Sequence, residues 1–140
     1  MRNVTDIASQ LTLDEDKRKF PYLDTKGKTT IGIGRNLTDD GLADDEISYL
    51  LKNDLSRVQN SLGMNIPWFS TLDPPRQGVL VNMAFNMGVH GLLGFHDTLS
   101  AMAKQDWEAA AVDMENSLWA KEVGDRATRL AQQLRTGIWQ

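Results

Sequence analysis

Glu15, Asp24 and Thr30 stand in the pattern Glu-x8-Asp-x5-Thr. Two carboxyls and a hydroxyl suit acid–base cleavage of a glycosidic bond, where one carboxyl must keep its proton for the leaving oxygen and the other must stay ionised beside a water. Glu15 falls at the expected end of a helix, where the partial negative charge of the last carbonyls disfavours the anion and favours a general acid. Asp24 falls in a polar turn that leaves it ionised, and the Thr30 hydroxyl can hold a water. Charged residues at helix ends and in turns also fit a plain solvated surface, so spacing alone leaves both readings open.

The elements that must position these residues are readable around them. Val4, Ile7, Ala8 and Leu11 recur at helical spacing, with Asn3 or Thr5 as the cap, and predict a short helix ending near residues 13 to 15. Pro21 forbids its continuation. From Phe20 to Ile33, aromatic and β-branched residues flank the turn-forming run Asp24 to Lys28 and predict a hairpin. Gly32 and Gly34 weaken the returning strand or let another group approach it closely.

Beyond Asp39, Asp40 and Gly41, the spacing of Ile47, Leu50, Leu51, Leu55, Val58 and Leu62 gives the clearest amphipathic helix. Asp73-Pro74-Pro75 opens a helix that is apolar nearly all round from Val79 to Met87 and is expected to close at Gly88. Gly91, Gly94, Asp106 and Gly124 punctuate shorter helices. One turns Trp107, Ala110, Ala111 and Met114 inward; the last turns Ala127, Leu130, Ala131 and Leu134 inward, with Gly137 as its cap. The expected fold class is α+β, mostly α.

Composition bounds the function. A chain of 140 residues, 41% hydrophobic and 24% charged, suffices for one domain with a real core. A net charge of −4 and a pI near 5.1 supply no positive field for nucleic acid. The absence of cysteine excludes disulfides, thiol catalysis and Cys-containing zinc sites, and only two histidines, His90 and His96, remain for metal or base chemistry. They sit near glycines with no evident third ligand, so no metal is expected. Charged residues interrupt every apolar run near the amino terminus before a signal peptide could form, and no segment reaches the length of a membrane span. The expected place of synthesis is the cytoplasm, without stable membrane insertion.

Several partial motifs fail on spacing. Gly27-Lys28-Thr29 has Tyr22 where a phosphate-binding loop needs its first glycine, and Gly32-Ile33-Gly34 has Leu37 where a dinucleotide fingerprint needs its third. Asn36, Thr38, Asp40 and Gly41 begin like a calcium loop, but its twelfth position is Ile47. Helix capping explains that run better. Trp68, Trp107, Trp119 and Trp139 read as core residues with a polar edge, and Arg129 and Arg135 as partners of nearby acids.

The segment LDEDKRKFPYLDTKGKTTIGIGRNL resembles the catalytic signature of phage-type lysozymes, a glycoside hydrolase family. The resemblance continues through NMAFNMG at 82 to 88, GFHDTL at 94 to 99, WEAAAVDMENSLW at 107 to 119 and DRATRLAQQLRTG at 125 to 137. It implies a lysozyme-like single domain: a hairpin lobe of about 16–43, a helical lobe of about 1–15 and 60–140, a joining helix of about 44–62, and a cleft between the lobes. It also implies Glu15 as the acid, with Asp24 and Thr30 assisting the water. Phe85 and Asn86 match the pair that lines the sugar cleft, and Arg126 matches an arginine that approaches the glutamate. Four features depart from the family: Asp16 replaces a common glycine, Arg35 replaces a histidine, Leu118 replaces an arginine of the T-even phage enzyme, and the segment after the hairpin is short.

The expected activity is hydrolysis of the β-1,4 bond between N-acetylmuramic acid and N-acetylglucosamine in bacterial peptidoglycan, with inversion and without a cofactor. The resemblance further implies an endolysin, a monomer that waits in the host cytoplasm until a separate holin opens a path to the cell wall or periplasm. Two rivals stand beside it. One is an inactive wall-binding or protein-binding module, motivated by Asp16, Arg35 and Leu118; the other is a lytic transglycosylase, disfavoured by the presence of both Asp24 and Thr30.

Overall fold

In the computed structural model, which describes residues 3–140, helices dominate and a small antiparallel sheet lies near the amino terminus. Contacts divide the chain into two compact units, with the boundary between Leu50 and Leu51. The class is α+β, as expected.

In the first unit, α1 (Ile7–Glu15) starts with a reciprocal cap. The Asp6 carboxylate accepts from the Ser9 N–H at 2.7 Å, and the Ser9 hydroxyl oxygen accepts from the Asp6 N–H at 3.1 Å. Asp6 rather than Asn3 or Thr5 is therefore the cap, with Ser9 answering it. None of the residues of α1 is buried, and the contacts group it with the sheet.

The hairpin pairs β1 (Arg18–Leu23) with β2 (Thr29–Gly32), setting Tyr22 opposite Thr30 and Leu23 opposite Thr29. A third strand, β3 (Arg35–Asn36), pairs with β2, giving the order β1-β2-β3. Two residues are too short for any alternation to show in the sequence. The ladder is interrupted between Arg18 and Tyr22, where Pro21 lacks the N–H that a central position would need.

α2 (Asp44–Asn65) begins with three acidic residues, which suit a helix amino terminus, and runs from the first unit into the second. Of its apolar stripe, Leu62 is fully buried and Leu55 and Val58 pack against the core, whereas Ile47, Leu50 and Leu51 are about half exposed.

The second unit holds the core. After a 3-10 turn (Phe69–Thr71), α3 (Pro74–Leu93) buries Val79, Leu80, Val81, Met83 and Ala84. At Gly88 the backbone leaves helical angles, with φ 82° and ψ 156°, and a further helical segment continues to Leu93. Glycine adopts those angles without a side-chain clash, so the first helical segment closes at Gly88 as expected and a second one starts beyond the kink.

Then follow α4 (His96–Ala103), α5 (Trp107–Glu115), α6 (Leu118–Val123) and α7 (Asp125–Thr136). Ala110, Ala111 and Met114 face Ala127, Leu130, Ala131 and Leu134 across a buried apolar interface, while Trp107 is half-buried and packs against the core. Each fully buried Leu or Met contributes about 1.5–3 kcal/mol of transfer free energy. Gly137 ends α7 in the left-handed conformation, as expected.

Arg76 ties the two ends of this unit together. Its guanidinium donates to the carbonyls of Leu134 and Arg135 at 2.8 and 3.0 Å, pairs with Asp73, and lies 4.2 Å from the Trp107 ring centre. It thus supplies donors to the last turn of α7, where the helix leaves its own carbonyls unpaired. Arg135 bridges Glu108 and Glu115, the structural pairing expected for it.

Candidate active site

Glu15 is the last residue of α1, and the next residue, Asp16, reverses the chain with φ 63° and ψ 134°. An L-residue rarely adopts that backbone, which explains why a glycine is common there in the resembled family. The Asp16 carboxylate turns to Arg18 at 3.4 Å, so its charge is partly matched by a cation of β1. The Glu15 side chain lies against Gly34, whose φ is +74°. A Cβ on Gly34 would come within 3.0 Å of both Cδ and Oε2 of Glu15, so the bare backbone is what allows the approach. Gly34 thus meets the expectation that this glycine pair admits a close neighbour.

Asp24 sits at the hairpin turn, where its Oδ1 accepts from the N–H groups of Lys26 and Lys28, both at 2.8 Å. Its own N–H and carbonyl close the turn through Lys28 and Gly27. The Lys28 N–H, and secondarily that of Lys26, hold the Asp24 carboxyl below its usual range, aided by the two ammonium charges. The anion expected from the sequence therefore has a main-chain cause.

Thr30 is buried on β2, and its hydroxyl donates to the Lys28 carbonyl at 3.0 Å. Its oxygen retains acceptor capacity for a water. Asp24 and Thr30 thus belong to the hairpin and Glu15 to the helix end that precedes it, all within one unit.

Arg35 and Glu46 bind that unit internally. The guanidinium meets both Glu46 oxygens at 2.6 Å, and Glu46 Oε1 also accepts from the Ala43 N–H at the start of α2. The Arg35 hydrogen bond first, and the Ala43 hydrogen bond second, bring the Glu46 pKa down to about 2. The arginine that replaces the family histidine thus forms a fork-to-fork pair of its own. Asn36 and Asp39 bond to each other, and Thr38 accepts from the Thr29 N–H, so the calcium-like run serves its own loop. No group of three or more metal-ligating side chains occurs among the described residues.

The remaining expected site residues lie in the second unit. Phe85 is 40% exposed and lines a groove of about 480 Å³ together with Asn82, Gly78, Trp139 and Arg126. Arg126 donates to the Asn82 side-chain oxygen at 2.8 Å and its carbonyl at 3.3 Å, which fixes the guanidinium at the groove wall. Asn86 is not among the residues lining that groove; its side-chain oxygen accepts from the buried Trp119 indole at 2.8 Å. Asn82 and Trp139 are groove residues outside the set expected from the sequence. Asn82 could have been found from its spacing, since 82, 85 and 86 share one helical face. Trp139 follows the final cap and lies on Gly78, where a Cβ would fall 2.4 Å from the ring, a proximity that no spacing rule reveals.

A carboxyl at a helix end, a main-chain-held aspartate and a buried threonine in one unit are residue types that acid–base cleavage of a glycosidic bond uses. The chain belongs to the phage lysozyme family, whose model matches residues 14–135. Its relatives include probable T4-type lysozyme 1 of Dictyostelium discoideum, 29% identical over 96% of each chain, and probable T4-type lysozyme 2 of the same organism, 25% identical over 96% of each. The pre-baseplate central spike protein Gp5 of Enterobacteria phage T4 is 30% identical over 94% of this chain, which spans 28% of the spike protein. Family membership supports a muramidase-like function with peptidoglycan as the substrate class. No single helix among the described residues is long and apolar enough to cross a membrane.

Proposed function

We propose that the protein is an endolysin-type muramidase that hydrolyses the β-1,4 bond between N-acetylmuramic acid and N-acetylglucosamine. Glu15 gives its proton to the leaving glycosidic oxygen while a water, held by Thr30 and deprotonated by Asp24, attacks the anomeric carbon from the opposite face. That geometry inverts the anomeric centre and requires carboxyls about 6.5–9.5 Å apart. The reading is carried by one observation: the Asp24 carboxylate is held anionic by main-chain donors in the same unit in which Glu15 reaches Gly34 beside β2. Phe85, Asn86 and Arg126 are proposed to bind the glycan. The enzyme works as a monomer without a metal or cofactor, does not insert stably in a membrane or bind nucleic acid, and depends on a separate holin to pass from the host cytoplasm to the cell wall.

Clearing of purified peptidoglycan by the wild type and by Glu15→Gln, both checked by circular dichroism, tests this reading. The expected result is release of reducing ends by the wild type and a loss of roughly 100-fold or more in the folded variant. Equal activity in both would remove Glu15 from its role. Absence of activity in both would leave a wall-binding module, and anhydro-muramyl ends among the products would make the enzyme a transglycosylase.

A further inference from the structure

A second cavity, of about 310 Å³, lies in the helical unit and shares no lining residue with the Phe85 groove. Trp68 and Trp107 line it, together with Asp73, Arg76, Thr71 and Gln105. Both tryptophans are half-buried. Neither indole N–H, nor the Gln105 side-chain amide, has a hydrogen-bond partner among the described residues. Asp73 uses one carboxylate oxygen for Arg76 and keeps the other outside that pair.

Gln105 adds an independent sign. It follows α4 with φ 61°, its N–H bonding to the Met102 carbonyl and the next N–H, of Asp106, bonding to that of Ala101. This is the Schellman position, where glycine or asparagine avoids the penalty that a longer side chain incurs. Gln105 is exposed and lines the cavity, where its amide adds to the polar lining.

We infer that this cavity is a secondary binding site for one N-acetylated hexose of a glycan strand. The Trp68 ring offers a flat face to the C–H side of a pyranose beside a Trp107 ring on which Arg76 already stacks at 4.2 Å, the indole N–H groups suit an acetamido carbonyl, and the second Asp73 oxygen suits a hydroxyl. The volume lies at the small end of ligand pockets, appropriate to one sugar and not to an extended peptide. Such a site holds the enzyme on an insoluble wall between cleavages, and its choice of ligand rests on the muramidase reading.

The test uses Glu15→Gln protein titrated with chitotetraose and followed through the four indole N–H resonances. Saturable shifts of Trp68 and Trp107 are expected, with the Trp119 signal steady and apparent affinity lowered roughly 2–10-fold by Gln105→Ala. Gln105→Gly serves as the second variant: it relieves the backbone, so loss of binding in a more stable protein separates ligand contact from folding. Unmoved Trp68 and Trp107 resonances, or binding unchanged in both Gln105 variants, would overturn the site. Hydrolysis by the wild type is measured separately. Turnover without these shifts defeats only this inference, and shifts without turnover defeat only the catalytic reading.

Discussion

The Glu15 carboxyl rests against Gly34, 3.0 Å from the place a Cβ would occupy, so any side chain there would have to push the carboxyl aside. Gly34→Ala therefore meets two obstacles at once, the displaced carboxyl and a φ of +74°. The expected outcome is a loss of roughly 10–100-fold in peptidoglycan clearing, because small displacements of a reacting group are costly, with a destabilisation of about 1–3 kcal/mol. Thermal melting and clearing assays on the same sample check both; wild-type clearing would separate Gly34 from the positioning of Glu15.

Asp24→Asn keeps an oxygen for the Lys26 and Lys28 N–H groups but removes the charge. The hairpin should survive, seen as an unchanged circular dichroism spectrum, while turnover falls roughly 100–10,000-fold. Retained turnover would show that the water is activated elsewhere.

Asp16→Gly relaxes a backbone whose φ of 63° suits glycine. A gain of about 1 kcal/mol is expected, raising the melting temperature by roughly 3–6 °C. Calorimetry decides, and an unchanged or lower midpoint would mean that the ion pair with Arg18 outweighs the strain.

The Arg35–Glu46 pair makes stability depend on acid. Glu46 titrates at about 2 in the folded chain against an ordinary 4.5, so the pair's contribution is fully present above pH 4.5 and is lost as pH falls through about 2. In Arg35→Met the Glu46 pKa should rise and the slope of stability against pH in that window should flatten. Denaturant melts from pH 2 to 6 measure the slope, and a slope equal to wild type would locate the acid sensitivity in other carboxylates.

Arg76→Ala strips donors from the Leu134 and Arg135 carbonyls and leaves Asp73 without its cation. A cost of about 2–3 kcal/mol is expected, with a melting temperature roughly 6–12 °C lower. A shift within 1 °C or so, on that same scale, would show that water replaces the guanidinium at no cost.

Much of this architecture was legible because periodicity states which side chains share a face. Ala127, Leu130, Ala131 and Leu134 are all buried as their spacing requires, and the Asp24 turn closes where its residues require. Periodicity does not say what covers a face, and half of the α2 stripe, at Ile47, Leu50 and Leu51, remains open. Nor does it register reciprocal bonds between particular side chains. The Asp6–Ser9 cap, the hold of Asn86 on Trp119 and the anchoring of Arg126 by Asn82 each depend on atoms meeting in space. Gly88 shows a third limit: the glycine marks the break between two helical segments but not that a second segment follows at once.

The way Asp24 is kept ionised also restricts how this lineage can adapt. Its charge state is set chiefly by peptide N–H groups, which every substitution at positions 26 and 28 except proline retains. Drift at those positions leaves the ionisation of Asp24 largely in place, so a shift of the working pH range would have to come through the surroundings of other groups.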